Sequence, residues 1–158
     1  MPKLDLSRLP VKTGSIYPEP YASMMAGRSS LRLADAGGLT QFGANLVTLQ
    51  PGALSSLRHW HLNEDEFVMV TAGECWLVED GGETLMRPGD CAAFPANTPN
   101  GHHFIARSDA PARYLVIGSR RPRDRIHYTD HDLITEKDGP ARRYLRRDGT
   151  PHHAGDPA

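Results

Sequence analysis

The segment RHWHLNEDEF, residues 58–67, has two histidines one residue apart, followed by three acidic residues. Alternate side chains of a β-strand point to the same face, so His59 and His61 lie together while Trp60 faces the other way. Their α-carbons are about 6.5 Å apart in such a strand, which lets two imidazoles reach one metal ion. Two histidines on one buried face are costly without partners, so the pattern predicts a shared ion.

Two later positions complete a predicted ligand set. Glu66 begins the next strand-like run, EFVMVTA, after a short turn. The run NGHHFIARS contains His102 and His103, and only one of two adjacent side chains can face the interior. If His102 faces inward, His103 faces outward. The candidate metal ligands are then His59, His61, Glu66 and His102.

Three imidazoles and one carboxylate, with no thiolate, suit a divalent first-row metal. Zinc, iron, manganese and nickel all accept this donor set, and the ligand types do not choose among them. We expect apolar side chains on the same inward faces to line the substrate space. These predicted lining residues are Val68, Val70, Phe94 and Phe104.

A competing interpretation is that these four polar residues are unrelated and alternate correctly by chance. A His-x-His pair by itself is a weak signal, and Glu64 and Asp65 are explained by an exposed turn. The complete pattern, with a glutamate soon after the pair, a valine-rich strand that ends at Gly73 and a distant Gly-His, favours the metal site.

The elements that position these residues are short. Strand-like runs separated by Pro-Gly, Gly-Gly and Asn-Thr-Pro turns predict an antiparallel sandwich or small barrel. The runs cover residues 42–49, 55–61, 66–72, 74–80, 83–87, 90–95, 101–108 and 112–119. We expect an irregular arm with one short strand or helical turn over 1–40, the barrel over 41–135, and a polar, flexible tail over 136–158. The run RIHYTDHDLI, 125–134, is read as one last strand.

Composition narrows the functional classes. The 158 residues carry a formal net charge of −1, which favours neither nucleic acid nor an anionic membrane as a partner. No apolar run is long enough for a membrane span, and the N-terminal segment lacks a secretory pattern, so we expect a cytoplasmic protein with Cys75 and Cys91 reduced. The basic runs SRRPRDR and ARRYLRR are compatible with a solvated surface or with a groove for a phosphate or carboxylate.

The spacing resembles that of the cupin superfamily. PGALSSLRHWHLNEDEFVMVTAG is similar to its first motif, with Gly52, His59, His61, Glu66 and Gly73 in the motif positions. PGDCAAFPANTPNGHHFIARS is similar to the second, where Pro95, Asn97, His102 and Ala106 match by position. GHH, followed by GSRRP, HY and Asp132, is similar to small single-domain bacterial cupins.

Three departures from the family pattern concern the second motif. Asn97 replaces a glycine but tolerates the same left-handed backbone. The turn before His102 is two residues longer than usual, and a strict spacing would choose Asn100, which is a poor metal ligand. Ala106 replaces an asparagine that is not a ligand in the family.

The resemblance implies an all-β jelly-roll barrel (a double-stranded β-helix) that holds one divalent metal ion and forms a homodimer. Outward Trp60, Phe67 and Met69 also favour a dimer. Fold alone does not give the reaction. We expect a metal-dependent enzyme, such as an isomerase, lyase or dioxygenase, acting on a small sugar, hydroxy acid or carboxylate. The alternatives are a binding or sensing module whose metal anchors a small-molecule ligand, and a barrel that the ion only stabilises.

No catalytic residue is assigned from the sequence. Glu66 could act as a base because it lies beside the ion, which is a hypothesis from its position alone. His127, Tyr128 and His131 could supply an acid or base if the segment HYTDHD folds over the barrel mouth. The simpler interpretation of HYTDHD is an edge strand with exposed polar side chains.

Overall fold

A computed structural model describes residues 3–153 of the chain, and its regular structure is almost entirely β. Helical structure among these residues is limited to α1 (Leu33–Ala36) and two short 3-10 turns, Leu6–Arg8 and Ser23–Met25. The strands are β1 Lys12–Thr13, β2 Arg28–Arg32, β3 Phe42–Leu49, β4 His59–His61, β5 Glu66–Ala72, β6 Cys75–Glu79, β7 Gly82–Met86, β8 Cys91–Phe94, β9 His103–Ile105, β10 Ala112–Ser119, β11 Arg123–Tyr128, β12 Ile134–Asp138 and β13 Ala141–Leu145.

The strands form three antiparallel sheets. One has six strands in the order β1-β2-β3-β10-β5-β8, one has four in the order β13-β12-β11-β4, and one has three in the order β7-β6-β9. This arrangement confirms the all-β jelly-roll prediction. The predicted bounds of β3, β5 and β10 match those of the structure.

Side-chain alternation explains why the interior is apolar. On β5, Val68 and Val70 face the interior and are buried, whereas Phe67 faces the other side of the sheet and is exposed. Tyr114 on β10 pairs with Val70 in the sheet and is buried on the same face. Each fully buried side chain of this kind stabilises the fold by about 1.5–3 kcal/mol relative to exposure.

Gly73 ends β5 at a point where only glycine fits. Its φ is +65°, and a β-carbon built there would lie 2.3 Å from the Pro111 carbonyl oxygen. The left-handed turn and the close approach of this neighbouring backbone therefore both require a residue without a side chain.

The predicted arm contributes strands to the barrel. β2 pairs with β3 over its whole length, from Arg28 opposite Leu49 to Arg32 opposite Asn45. Arg28 and Ser30, two residues apart, both face the barrel cavity. Sequence reasoning allowed this segment one short strand but separated it from the barrel, because its many Pro, Gly and Ser residues resemble those of a loop.

The predicted tail also differs from the structure. Residues 134–145 form the β12–β13 hairpin, so a tail over 136–158 is wrong for its first ten residues; residues 154–158 lie outside the described part. Glu136 lies opposite Arg125 on one side and Arg143 on the other, and accepts a 2.8 Å hydrogen bond from each. In the sequence, these charged residues suggested a solvent-exposed segment. In the structure, they form ion pairs across neighbouring strands.

β11 is an interior strand, which corrects the edge-strand interpretation of HYTDHD. It pairs with β12 on one side and with β4 on the other, where Tyr128 lies opposite His59. This pairing brings the C-terminal sheet against the His-x-His strand.

Three smaller features bear on the expectations from the sequence. Asn97 has a φ of 58°, as the left-handed turn requires. Cys75 is buried and Cys91 is exposed, and both are free thiols. Within residues 3–153, no helix is long and apolar enough to cross a membrane.

Candidate metal centre and cavity

The four predicted ligands meet on the inner wall of the barrel. Glu66 Oε2 lies 3.1 Å from His102 Nε2 and 3.6 Å from Nε2 of both His59 and His61. Ligand atoms of His59, His61 and Glu66 all lie within 4.8 Å of one another, and His102 joins them through its contact with Glu66. The structure therefore brings together side chains from three separate segments of the chain.

Hydrogen bonds orient two of the three imidazoles. His61 Nδ1 lies 2.6 Å from Asp124 Oδ2, and His59 Nδ1 lies 2.9 Å from the Leu57 carbonyl oxygen. When Nδ1 donates to these acceptors, Nε2 carries the lone pair that a metal ion needs. His102 Nδ1 is buried without a hydrogen-bond partner. The donor set and the two oriented rings fit a divalent metal ion.

Electrostatics keep Glu66 ionised. Burial alone would raise the pKa of Glu66, but its contacts with His102 and His59 and the charge of His61 outweigh burial and hold that pKa well below its usual range. Burial also lowers the pKa of His102, which favours the neutral ring that a metal binds. The pair therefore offers a carboxylate and a neutral imidazole near neutral pH.

Asp124 is the clearest functional residue that sequence reasoning missed. Its side chain is fully buried, and it accepts hydrogen bonds from the His61 ring and from the Asn63 backbone amide. Burial opposes ionisation, but these bonds and the charge of His61 hold the pKa of Asp124 below its usual value. It comes from β11, more than sixty residues after His61, so no local pattern indicates the pair.

The register around His102 agrees with the prediction. His103 points away from the cluster, with its Nδ1 3.2 Å from the Ser56 carbonyl oxygen. Asn100 also faces away, and it donates to Glu79 and accepts from the Asp80 amide. Phe104 and Ala106 follow His102 inward and are buried.

A cavity of about 430 Å³ adjoins the cluster and contacts side chains from both large sheets. Val68 and Phe104 line it as predicted. Val70 is instead packed in the core, and Phe94 stacks on the His102 ring with centroids 3.5 Å apart. The two predicted lining residues that do not reach the cavity therefore support its wall.

The cavity is strongly basic away from the cluster. Six basic side chains line it, compared with two carboxylates, those of Glu64 and Glu66. The six are Lys12, Arg28, Arg32, Arg120, Lys137 and Arg142. Glu64, which we expected in an exposed turn, is half-buried and lies 2.5 Å from Lys137 Nζ. Each of the two basic runs thus contributes one arginine to the cavity, Arg120 and Arg142, while neighbouring residues such as Arg123 are exposed.

The three candidates in HYTDHD have separate environments. Tyr128 is buried in the cavity wall, with its ring centroid 6.1 Å from that of His59 and its hydroxyl 3.1 Å from Thr135 Oγ1. His127 stacks on Trp60, and His131 packs against Tyr21. Of the three, Tyr128 is the one that lines the cavity.

A jelly-roll barrel with a histidine–glutamate cluster on its inner wall is typical of one class of small β-barrel proteins, those with a candidate metal site inside the barrel. Residues 45–118 match the Cupin domain family. A sugar phosphate isomerase of the cupin superfamily from Silicibacter pomeroyi is 56% identical, with 97% of this chain and 98% of that chain covered and a TM-score of 0.94. The chain belongs to the cupin superfamily.

Two further solved structures are similar at lower identity. A protein from Acidithiobacillus ferrooxidans, whose name proposes sugar phosphate isomerase activity, is 25% identical over 80% of both chains, with a TM-score of 0.73. A polyketide cyclase from Streptomyces resistomycificus is 20% identical over 84% of this chain and 89% of that chain, with a TM-score of 0.63, and shares the fold alone. A comparison with curated proteins found no match.

Proposed function

We propose that the protein is a metal-dependent isomerase of a sugar phosphate. One observation carries the proposal: the histidine–glutamate cluster lies on the wall of the same cavity that presents six basic side chains. A ligand with a carbonyl or hydroxyl end and an anionic end suits this distribution of charge. The name of the Silicibacter pomeroyi protein, 56% identical over 97% of this chain, agrees with this substrate class.

His59, His61, His102 and Glu66 would hold the metal. The chemistry that such an ion would supply is Lewis-acid polarisation of a carbonyl or hydroxyl oxygen. Asp124 keeps the His61 ring in the orientation that presents Nε2, and the Leu57 carbonyl does the same for His59. Val68 and Phe104 make part of the cavity wall apolar.

Aldose–ketose isomerisation moves a proton between neighbouring carbons, so it needs a group that accepts the proton and returns it. We assign this role to Glu66. Its Oε2 contacts the three histidines, whereas Oε1 faces Gly118 on the cavity wall. The lowered pKa of Glu66 favours its carboxylate form, which is the form that accepts a proton.

Incubation of metal-loaded protein with aldose phosphates tests the proposal. We expect the corresponding ketose phosphates as products, and exchange of the C2 hydrogen with solvent deuterium measured by NMR. Glu66→Gln should abolish exchange because an amide neither accepts the proton nor replaces the carboxylate as a metal ligand. Tight retention of sugar phosphates without product or exchange would contradict an isomerase and make the protein a binding module.

A further inference from the structure

Arg28 is a cation without an anionic partner in the cavity wall. The side chain is half-buried and lines the cavity, its Nε has no hydrogen-bond partner, and it forms no ion pair with the acidic residues of the described part. Most buried polar groups have a partner, and an unpaired buried charge costs free energy. An unpartnered guanidinium in a ligand cavity therefore indicates an anion that belongs there.

The other cavity cations are less suited to this role. Lys137 forms an ion pair with Glu64. Arg120 and Arg32 both contact the Asp35 carboxylate, and the distance from Arg32 is 3.7 Å. Lys12 and Arg142 are exposed at the outer part of the cavity. Arg28 therefore combines partial burial with a free guanidinium.

Arg28 and the metal cluster belong to one continuous site. Arg28 lines the same cavity as Tyr114, Glu66 and the three histidines of the cluster. On the other wall, the Tyr17 ring packs against Tyr128 at 5.5 Å, and Tyr128 packs against His59 at 6.1 Å. Arg28 also acts electrostatically on Tyr17. One small molecule can thus contact the cluster and Arg28 together.

We propose that Arg28 binds the phosphate group of the substrate while the histidine–glutamate cluster faces its carbonyl end. The planar guanidinium donates paired hydrogen bonds to phosphate oxygens, which an ammonium group cannot reproduce. Ser30, two residues further on the same face of β2, offers a hydroxyl beside it. This inference rests on the proposed function for the sugar end of the ligand, whereas the anion site itself does not require the metal.

Calorimetric titration of the full-length, chelator-treated protein with inorganic phosphate tests the site without any turnover. We expect saturable binding to the wild type, weakened about ten- to a hundredfold in Arg28→Met, as for loss of a charged hydrogen-bond partner. Arg28→Lys should retain only part of the affinity. Arg32→Met is the matched control, because Arg32 lies on the same strand and cavity face but is paired with Asp35.

Thermal melting separates this role from a structural one. Arg28→Met should melt no lower than wild type in phosphate-free buffer, because it removes a half-buried charge that has no carboxylate partner. Phosphate should raise the melting temperature of the wild type and leave that of Arg28→Met unchanged. Loss of stability in Arg28→Met without phosphate, together with an equal phosphate response, would overturn the proposal.

Ribose 5-phosphate and ribose distinguish a substrate phosphate from free phosphate. The phosphorylated sugar should bind the wild type more tightly, and Arg28→Met should remove that difference. Equal binding of both sugars, no phosphate binding to the wild type, or equal losses in Arg28→Met and Arg32→Met would each overturn the assignment. Phosphate binding without isomerisation would instead contradict the proposed reaction and leave the anion site standing.

Discussion

At the scale of single residues, the metal site depends on how each imidazole is oriented. His59 and His61 lie on one face of β4, and their Nδ1 atoms are held by the Leu57 carbonyl and the Asp124 carboxylate. Residue types and strand alternation were enough to predict that these histidines and Glu66 come together. They could not predict Asp124, because its contact with His61 depends on the pairing of β11 with β4.

Asp124→Asn should weaken metal affinity about 10–100-fold, the usual effect of removing an outer carboxylate from a ligating histidine. The asparagine side chain has nearly the same volume as the aspartate but lacks the negative charge that orients the His61 ring. Competition with a metallochromic chelator measures the change. Asp80→Asn is the control, since Asp80 is an exposed partner of Arg58; equal affinities of all three proteins would contradict the role of Asp124.

At the scale of elements, strand bounds followed closely from alternation and turn residues, whereas pairing did not. β3, β5 and β10 have the predicted limits because they alternate strongly between Pro-Gly and similar turns. β12 and β13 were missed because their charged residues read as a solvated tail. Gly139, directly after Asp138 at the end of β12, is a turn signal that could have revealed both strands, and its φ is +56°.

Gly73→Ala should lower the free energy of unfolding by about 1–3 kcal/mol or more, because the new methyl group meets the Pro111 carbonyl and the φ is positive. Urea denaturation of the metal-free protein measures this change. Gly81→Ala is the matched control, because a β-carbon there meets nothing within 4 Å. Unfolding of both variants at the same urea concentration would contradict a close contact between Gly73 and the Pro111 carbonyl.

At the scale of the whole molecule, the barrel is closed around a cavity that the arm and the C-terminal sheet both line. Arg28 comes from β2, Tyr128 from β11 and Arg142 from β13. Sequence reasoning placed the first and last of these outside the barrel. Only long-range pairing joins them to the cluster, so the histidine–glutamate cluster was predictable while most of the basic cavity was not.

Buried tyrosines predict a loss of stability at alkaline pH. Burial raises the pKa of Tyr114 and of Tyr128 in the folded protein, so both keep their protons above the pH at which the unfolded chain loses them. The free energy of unfolding therefore falls as the pH rises above about 10, by about 1.4 kcal/mol per pH unit for each tyrosine.

Tyr114→Phe should remove one such contribution. Urea titrations over about pH 9–11 compare the slopes of the two proteins. The variant should lose less stability per pH unit than the wild type. Identical slopes would show that Tyr114 ionises as freely in the folded state as in the unfolded chain.

We expect a homodimer through the outer face of the six-stranded sheet. Phe67 and Phe42 are each 39% exposed on that sheet, and Phe67 pairs with the outward Ile117. Trp60, which also favoured a dimer in the sequence, is covered by His127 within the chain. Sedimentation should give a dimer for the wild type and a monomer for Phe67→Glu; a monomeric wild type would contradict this expectation.

Metal analysis of protein purified without added metal tests the central claim most directly. Elemental analysis by mass spectrometry should find about one divalent first-row ion per chain in the wild type, and almost none in a variant that carries both His59→Ala and His61→Ala. A wild type that binds no ion even after incubation with zinc, iron, manganese and nickel, or a double variant that retains one, would contradict the account.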